Sequence, residues 1–197
     1  MSATRRALLA SAVCVALTIS VAAHLTAAEP VDARLASCLA CHGAQGRSDI
    51  PLVPSLGGQP EFYLGVQLLM FREKIRDVAP MTEMLQSVGD ADLQSMASSL
   101  AKLPAPAPSS EPVDRPRIDR ARTVVAQHRC NFCHSGNYAG GENVPRLAGQ
   151  REDYLAKALK DYKSNARRGY DASMADVLYP VSDKQILDLA YFLSHQR

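Results

Sequence analysis

The sequence predicts an all-α protein made of two tandem copies of one helical unit, and three observations predict it. Two stretches of about 75 and 80 residues repeat each other. Apolar residues in both fall at the i, i+3, i+4, i+7 spacing of a helix with one buried stripe, and no alternating strand pattern of useful length occurs.

Residues 1–28 come first and read as an export signal: Arg5 and Arg6 form a basic start, Ala7 to Val21 an apolar run, and small residues follow to Ala28. The run is shorter than the ~20 residues a spanning helix needs, so removal is expected, after Ala28 or after Ala23. Cys14 inside it is a passenger. Residues 29–103 form the first unit. The segment 104–118, with Pro104, Pro106, Pro108, Pro112 and Pro116, has the composition of an extended linker. Residues 119–197 form the second unit.

The repeat is detailed. Cys38, Cys41 and His42 recur as Cys130, Cys133 and His134; Pro54, Leu56, Gly58, Gln59, Tyr63 and Leu64 recur as Pro145, Leu147, Gly149, Gln150, Tyr154 and Leu155. Met81, Leu85, Val88, Asp90 and Leu93 recur as Met174, Leu178, Val181, Asp183 and Ile186. In each unit the first helix is expected to carry the cysteine pair, and a middle helix to span Glu61 to Ile75 or Glu152 to Ala166. A last helix has Leu93, Met96, Ala97 and Leu100, or Ile186, Leu189, Ala190 and Leu193, on its buried face. Ser182 with Gln185 reads as a capping box for the last helix of the second unit.

Composition narrows the function. With 22 basic and 20 acidic residues there is no broad electropositive field, so nucleic acid is not an expected partner. Without Arg5 and Arg6 the charges balance, but unevenly: nine acids and six bases lie between Glu29 and Leu103, eleven acids and fourteen bases from Pro104 onward. That lengthwise asymmetry could orient the molecule on a partner. No tryptophan and 6% aromatics leave an aliphatic core, or one completed by a group the sequence does not encode.

The four cysteines outside the signal all lie in two CxxCH runs, the arrangement of covalent c-type haem attachment. On a helix, residues i and i+3 share a face, so both sulfurs reach one porphyrin edge while the next histidine turns to the iron. A thioredoxin-like CxxC needs no such histidine and sits beside a βαβ pattern; a zinc ribbon joins its pairs across ~15–20 residues. Two haem c groups are expected, with Cys38, Cys41, Cys130 and Cys133 as attachment points and His42 and His134 as iron ligands.

The repeat also selects the sixth ligands, because Met81 and Met174 occupy the same place. Met84 aligns with Val177, Met96 with Leu189 and Met70 with Asp161; Met84 is the fallback ligand and Met96 a core residue. Methionine opposite histidine closes the iron and raises its reduction potential. His128 and His195 are read as surface or terminal residues. The carbonyls of Pro54 and Pro145 are the candidate partners of the ligand histidines' second nitrogens. Gln59, Tyr63 and Arg76, with Gln150, Tyr154 and Arg167, are candidates to hold the haem propionates.

Two CxxCH … PxLxGQ … Tyr … Met units behind an export signal resemble the dihaem cytochrome c4 family, from about Val31 to the C-terminus. The PSLGGQ and PRLAGQ segments and the repeated methionines make that match narrower than CxxCH alone. The resemblance implies two tandem class I cytochrome c domains related by pseudo-twofold symmetry, propionate edges facing, in a bacterial periplasm. It implies redox protein partners, with a quinol-oxidising complex or dehydrogenase as donor and a terminal oxidase as acceptor, and peripheral membrane association is compatible with it. Pro80–Met81 is matched by Ser173–Met174, and the second methionine loop is two residues longer, so equal potentials are not expected.

The leading expectation is thus an electron carrier and not an enzyme. An alternative is the dihaem electron-accepting subunit of an oxidoreductase complex. A dihaem peroxidase, which needs an iron open to peroxide, is disfavoured by the paired methionines.

Overall fold

A computed structural model describes residues 31–167 and 172–197. The expected export signal, with Arg5, Arg6 and Cys14, lies outside the described residues. Among those described, regular structure is helical, with a single isolated bridge between Gly141 and Val144.

The first unit contains α1 (Val31–His42), α2 (Glu61–Arg72), α3 (Ala79–Leu85) and α4 (Asp90–Ala101). Helix α1 packs on α4, and α2 on both α3 and α4. The anticipated stripe of α4, Leu93, Met96, Ala97 and Leu100, is buried against Leu64, Leu68, Phe71 and Leu85. Helix α1 runs through the CxxCH motif and stops at its histidine. Gly43 follows at φ +84°, where a Cβ would lie 1.9 Å from the Arg47 carbonyl oxygen, so only glycine fits this turn.

The second unit contains α5 (Arg115–His128), α6 (Cys130–His134), α7 (Glu152–Lys163), α8 (Ser173–Leu178) and α9 (Asp183–Ser194). Helix α9 packs on α5 and α7, and α8 on α7. Its stripe of Ile186, Leu189, Ala190 and Leu193 is buried, and Ser182 and Gln185 form the expected capping box. The N-terminal part of this unit differs from the sequence reading in two ways. Helix α5 begins at Arg115, inside the expected linker, because Asp114 caps it by accepting from the Arg117 N–H and Pro116 is tolerated in a first turn. The motif helix is also broken: Arg129 is left-handed at φ 52°, so Cys130–His134 form a separate turn.

The middle helices end three residues earlier than expected. Lys74 and Asn165, at equivalent places, adopt φ 57° and 59°, which no apolar periodicity could signal. The proline-rich segment then passes along both units. The Gly58 N–H donates to Leu103 O, the Ser109 N–H to Ser194 O, and the Asp114 N–H to the Tyr191 hydroxyl. Gly149, at φ +72°, leaves room for the Pro106 carbonyl, which a Cβ would meet at 2.4 Å.

Candidate functional site

Helical spacing brings Cys38 and Cys41 to one side of α1, with Cys38 buried in the core and Cys41 exposed. His42 is buried, and its Nδ1 lies 2.7 Å from the carbonyl oxygen of Pro54. A carbonyl only accepts, so the proton sits on Nδ1 and the lone pair of the neutral ring on Nε2. Burial holds His42 below the ordinary histidine range, opposed by the Pro54 carbonyl. A neutral imidazole with its Nε2 lone pair free is the form that ligates a metal. Met81, in the first turn of α3, packs against the same core as Cys38.

The second unit repeats this. His134 is buried with Nδ1 3.1 Å from Pro145 O, and burial likewise lowers its proton affinity against the carbonyl's pull. A cavity of about 270 Å³ brings Cys130, Cys133, His134 and Met174 to one space, walled by Leu147, Leu159, Leu178, Leu189 and Leu193. Phe132 also lines it and is 77% exposed, so the cavity opens at the surface. Two thiols, a neutral imidazole and a thioether around an apolar hollow fit a covalently attached haem and its axial ligands.

Between the units, Arg167 donates through Nη1 to the Tyr154 hydroxyl and through Nη2 to the Tyr63 hydroxyl, both at 3.1 Å. Arg76 donates to Gln67 Oε1 at 2.7 Å and to the Tyr154 hydroxyl at 3.4 Å. Burial alone would disfavour the Arg167 charge, but Tyr154 and Tyr63 keep its pKa above the usual guanidinium value. Burial resists ionisation of Tyr154 too, yet Arg167 and Arg76 draw it down to about 8. The Nε of Arg167 is buried with no hydrogen-bond partner among the described residues. A buried guanidinium with an unused donor fits an anionic group from outside the polypeptide, as haem propionates are.

The remaining candidates fall as follows. Met84 is exposed, Met96 is fully buried core, and Met70 is buried with its sulfur accepting from Gln67 Nε2. His128 lines the cavity of the second unit, and His195 stacks on Tyr191 with Nδ1 donating to the Tyr191 carbonyl. Gln59 and Gln150, expected beside the propionates, instead commit both amide atoms to backbone across the unit boundary. Gln67 was missed because its repeat counterpart is Ala158, so duplication gave no signal for it.

Known proteins resemble this chain in sequence and in fold. The Cytochrome c family model matches residues 118–197. Cytochrome c4 of Pseudomonas aeruginosa is 30% identical over 82% of this chain and 84% of its own. A thiosulfate dehydrogenase electron acceptor of Thiomonas intermedia is 32% identical over 86% of this chain and 82% of its own. The crystal structure of reduced cytochrome c4 from Pseudomonas stutzeri superposes with a TM-score of 0.74 at 26% identity, over 86% of this chain and all of that one. Fold and site together define a two-domain, dihaem class I c-type cytochrome, an electron-transfer protein with two covalently bound haem c groups. The chain belongs to the cytochrome c4 family.

Proposed function

We propose that the protein is a periplasmic one-electron carrier of a respiratory chain, reduced by a quinol-oxidising complex or a dehydrogenase and oxidised by a terminal oxidase. Domains 29–103 and 119–197 each hold one haem, through Cys38 and Cys41 and through Cys130 and Cys133. His42 with Met81, and His134 with Met174, would hold the two irons. Pro54 and Pro145 fix the histidine rings, while Arg76, Arg167, Tyr63 and Tyr154 receive the propionates at the domain boundary.

The cavity that gathers Cys130, Cys133, His134 and Met174 carries this reading. When bound, haem supplies the Fe(III)/Fe(II) couple. The polypeptide supplies ligands on both sides, an apolar wall that excludes water, and an opening beside Phe132 for a partner. No helix among the described residues is long and apolar enough to cross a membrane, which suits a peripheral or free carrier.

Mass spectrometry of the exported protein should find two haem adducts, and oxidised spectra should carry the far-red sulfur-to-iron band for both. Met81→Ala and Met174→Ala should each remove about half of that band, and Met84→Ala none. Fewer than two adducts, or ready carbon monoxide uptake by the reduced wild type, would overturn the assignment.

One observation favours a second reading, the 32% identity to a thiosulfate dehydrogenase electron acceptor. In that role the protein is the dihaem electron-accepting subunit of a periplasmic oxidoreductase complex. Co-purification with a dehydrogenase, and substrate-driven reduction only in its presence, distinguish that subunit from a free carrier.

A further inference from the structure

The two buried glutamines grip each other's domain in mirror fashion. The Ser55 N–H donates to Gln150 Oε1 at 2.8 Å, and Gln150 Nε2 donates to Ser55 O at 2.8 Å. The Arg146 N–H donates to Gln59 Oε1 at 3.0 Å, and Gln59 Nε2 donates to Arg146 O at 2.9 Å. Ser55 and Arg146 follow the two prolines whose carbonyls hold the histidines.

The nitrogen of Ser55 and the carbonyl of Pro54 belong to one peptide group. An unbroken series therefore runs from Gln150 Oε1 through the Ser55–Pro54 amide to His42 Nδ1, with end links of 2.8 and 2.7 Å. Gln59 Oε1, the Arg146–Pro145 amide and His134 Nδ1 form its twin, with links of 3.0 and 3.1 Å. Accepting from an amide N–H shifts electron density onto the carbonyl oxygen of the same resonant group, so hydrogen bonds in series strengthen one another, more so in a buried setting. Both glutamines are buried, so water does not substitute for them.

A stronger acceptor at Nδ1 makes the ring a more basic ligand at Nε2. More electron donation to iron favours the oxidised state and lowers the potential.

We propose that Gln150 is a positioning residue for His42 and Gln59 for His134: each domain tunes the other's haem through one peptide group. The inference rests on His42 and His134 being the iron ligands. It makes domain docking itself part of the redox setting, because separating the domains breaks both series at once.

The test uses the full-length dihaem protein with Gln150→Ala, Gln59→Ala and Gln150→Glu, the last keeping an acceptor oxygen for the Ser55 N–H. Two quantities are read for each haem: its reduction potential, and the Nδ1–H proton resonance of its histidine in the ferrous state. Gln150→Ala should raise the potential of the haem on His42 by about two- to tenfold in the reduction equilibrium, tenfold being about 59 mV for one electron. It should move the His42 resonance and leave that of His134 in place. Gln59→Ala should do the reverse, and Gln150→Glu should not repeat the alanine shift at His42.

Equal shifts at both haems, a shift confined to the mutated residue's own domain, or no shift would overturn the crosswise assignment. A wild type without two histidine Nδ1–H resonances in ferrous protein would instead overturn the ligand reading, and the inference with it.

Discussion

Arg167 is 8% exposed and stands where the two domains meet, over the ring of Tyr162 and within hydrogen-bond reach of Tyr63 and Tyr154. Arg76 repeats the arrangement over Phe71 with a partner in Tyr154. A fixed positive charge near iron stabilises the reduced form, because reduction removes one positive charge from the centre. Arg167→Gln should therefore lower both potentials in a spectroelectrochemical titration, and Arg167→Lys should lower them less. Unchanged potentials in Arg167→Gln would mean that the guanidinium serves packing alone. The repeat located Arg76, Arg167, Tyr63 and Tyr154, since each has a partner 91 positions away. It could not say that they converge on one another, because nothing in either unit's local pattern encodes the face it turns to its twin.

At the scale of elements, α5 and α9 are fastened by Asp188, which is buried on α9. Arg120 on α5 donates to it through Nε at 2.6 Å and Nη2 at 2.8 Å, and Lys184 adds a bond at 3.3 Å. The Arg120 hydrogen bonds, helped by Lys184 and opposed by burial, hold the Asp188 carboxyl below its ordinary value. A carboxyl depressed in the folded state stabilises the fold above its unfolded pKa and loses that contribution as pH falls through the folded one. Acid should therefore weaken the second domain below about pH 4, and Asp188→Asn should flatten that part of the melting-temperature profile. Ile186, fully buried on the same helix, tests the stripe: Ile186→Ala should cost about 2–5 kcal/mol in denaturant unfolding. The stripe was legible because its spacing is helical and its residues apolar. The turns at Lys74, Asn165 and Arg129 were not, because left-handed backbone at a charged or amide residue leaves no mark in hydrophobic periodicity.

For the whole molecule, each domain is small, and in the second the helices wall an apolar space. In the second domain that space is about 270 Å³, bounded by Val125, Leu147, Leu159, Leu178, Leu189 and Leu193. Cores are packed to near-crystalline density, so a ~80-residue domain with these leucines around one space relies on the porphyrin to complete its core. Blocking attachment in one domain alone, with Cys130→Ala and Cys133→Ala, separates the domains' contributions. The second domain should then lose its cooperative melting transition, while the first keeps one haem and its far-red band. Its partner's Gln150 would no longer be held on Ser55, so the remaining haem should titrate at a higher potential than in the intact protein. Differential scanning calorimetry with a potentiometric titration of the single-haem protein reads both results. A second domain that still melts sharply without its porphyrin would show that the polypeptide closes this core unaided. A remaining haem at its original potential would show that the domains hold their redox centres independently.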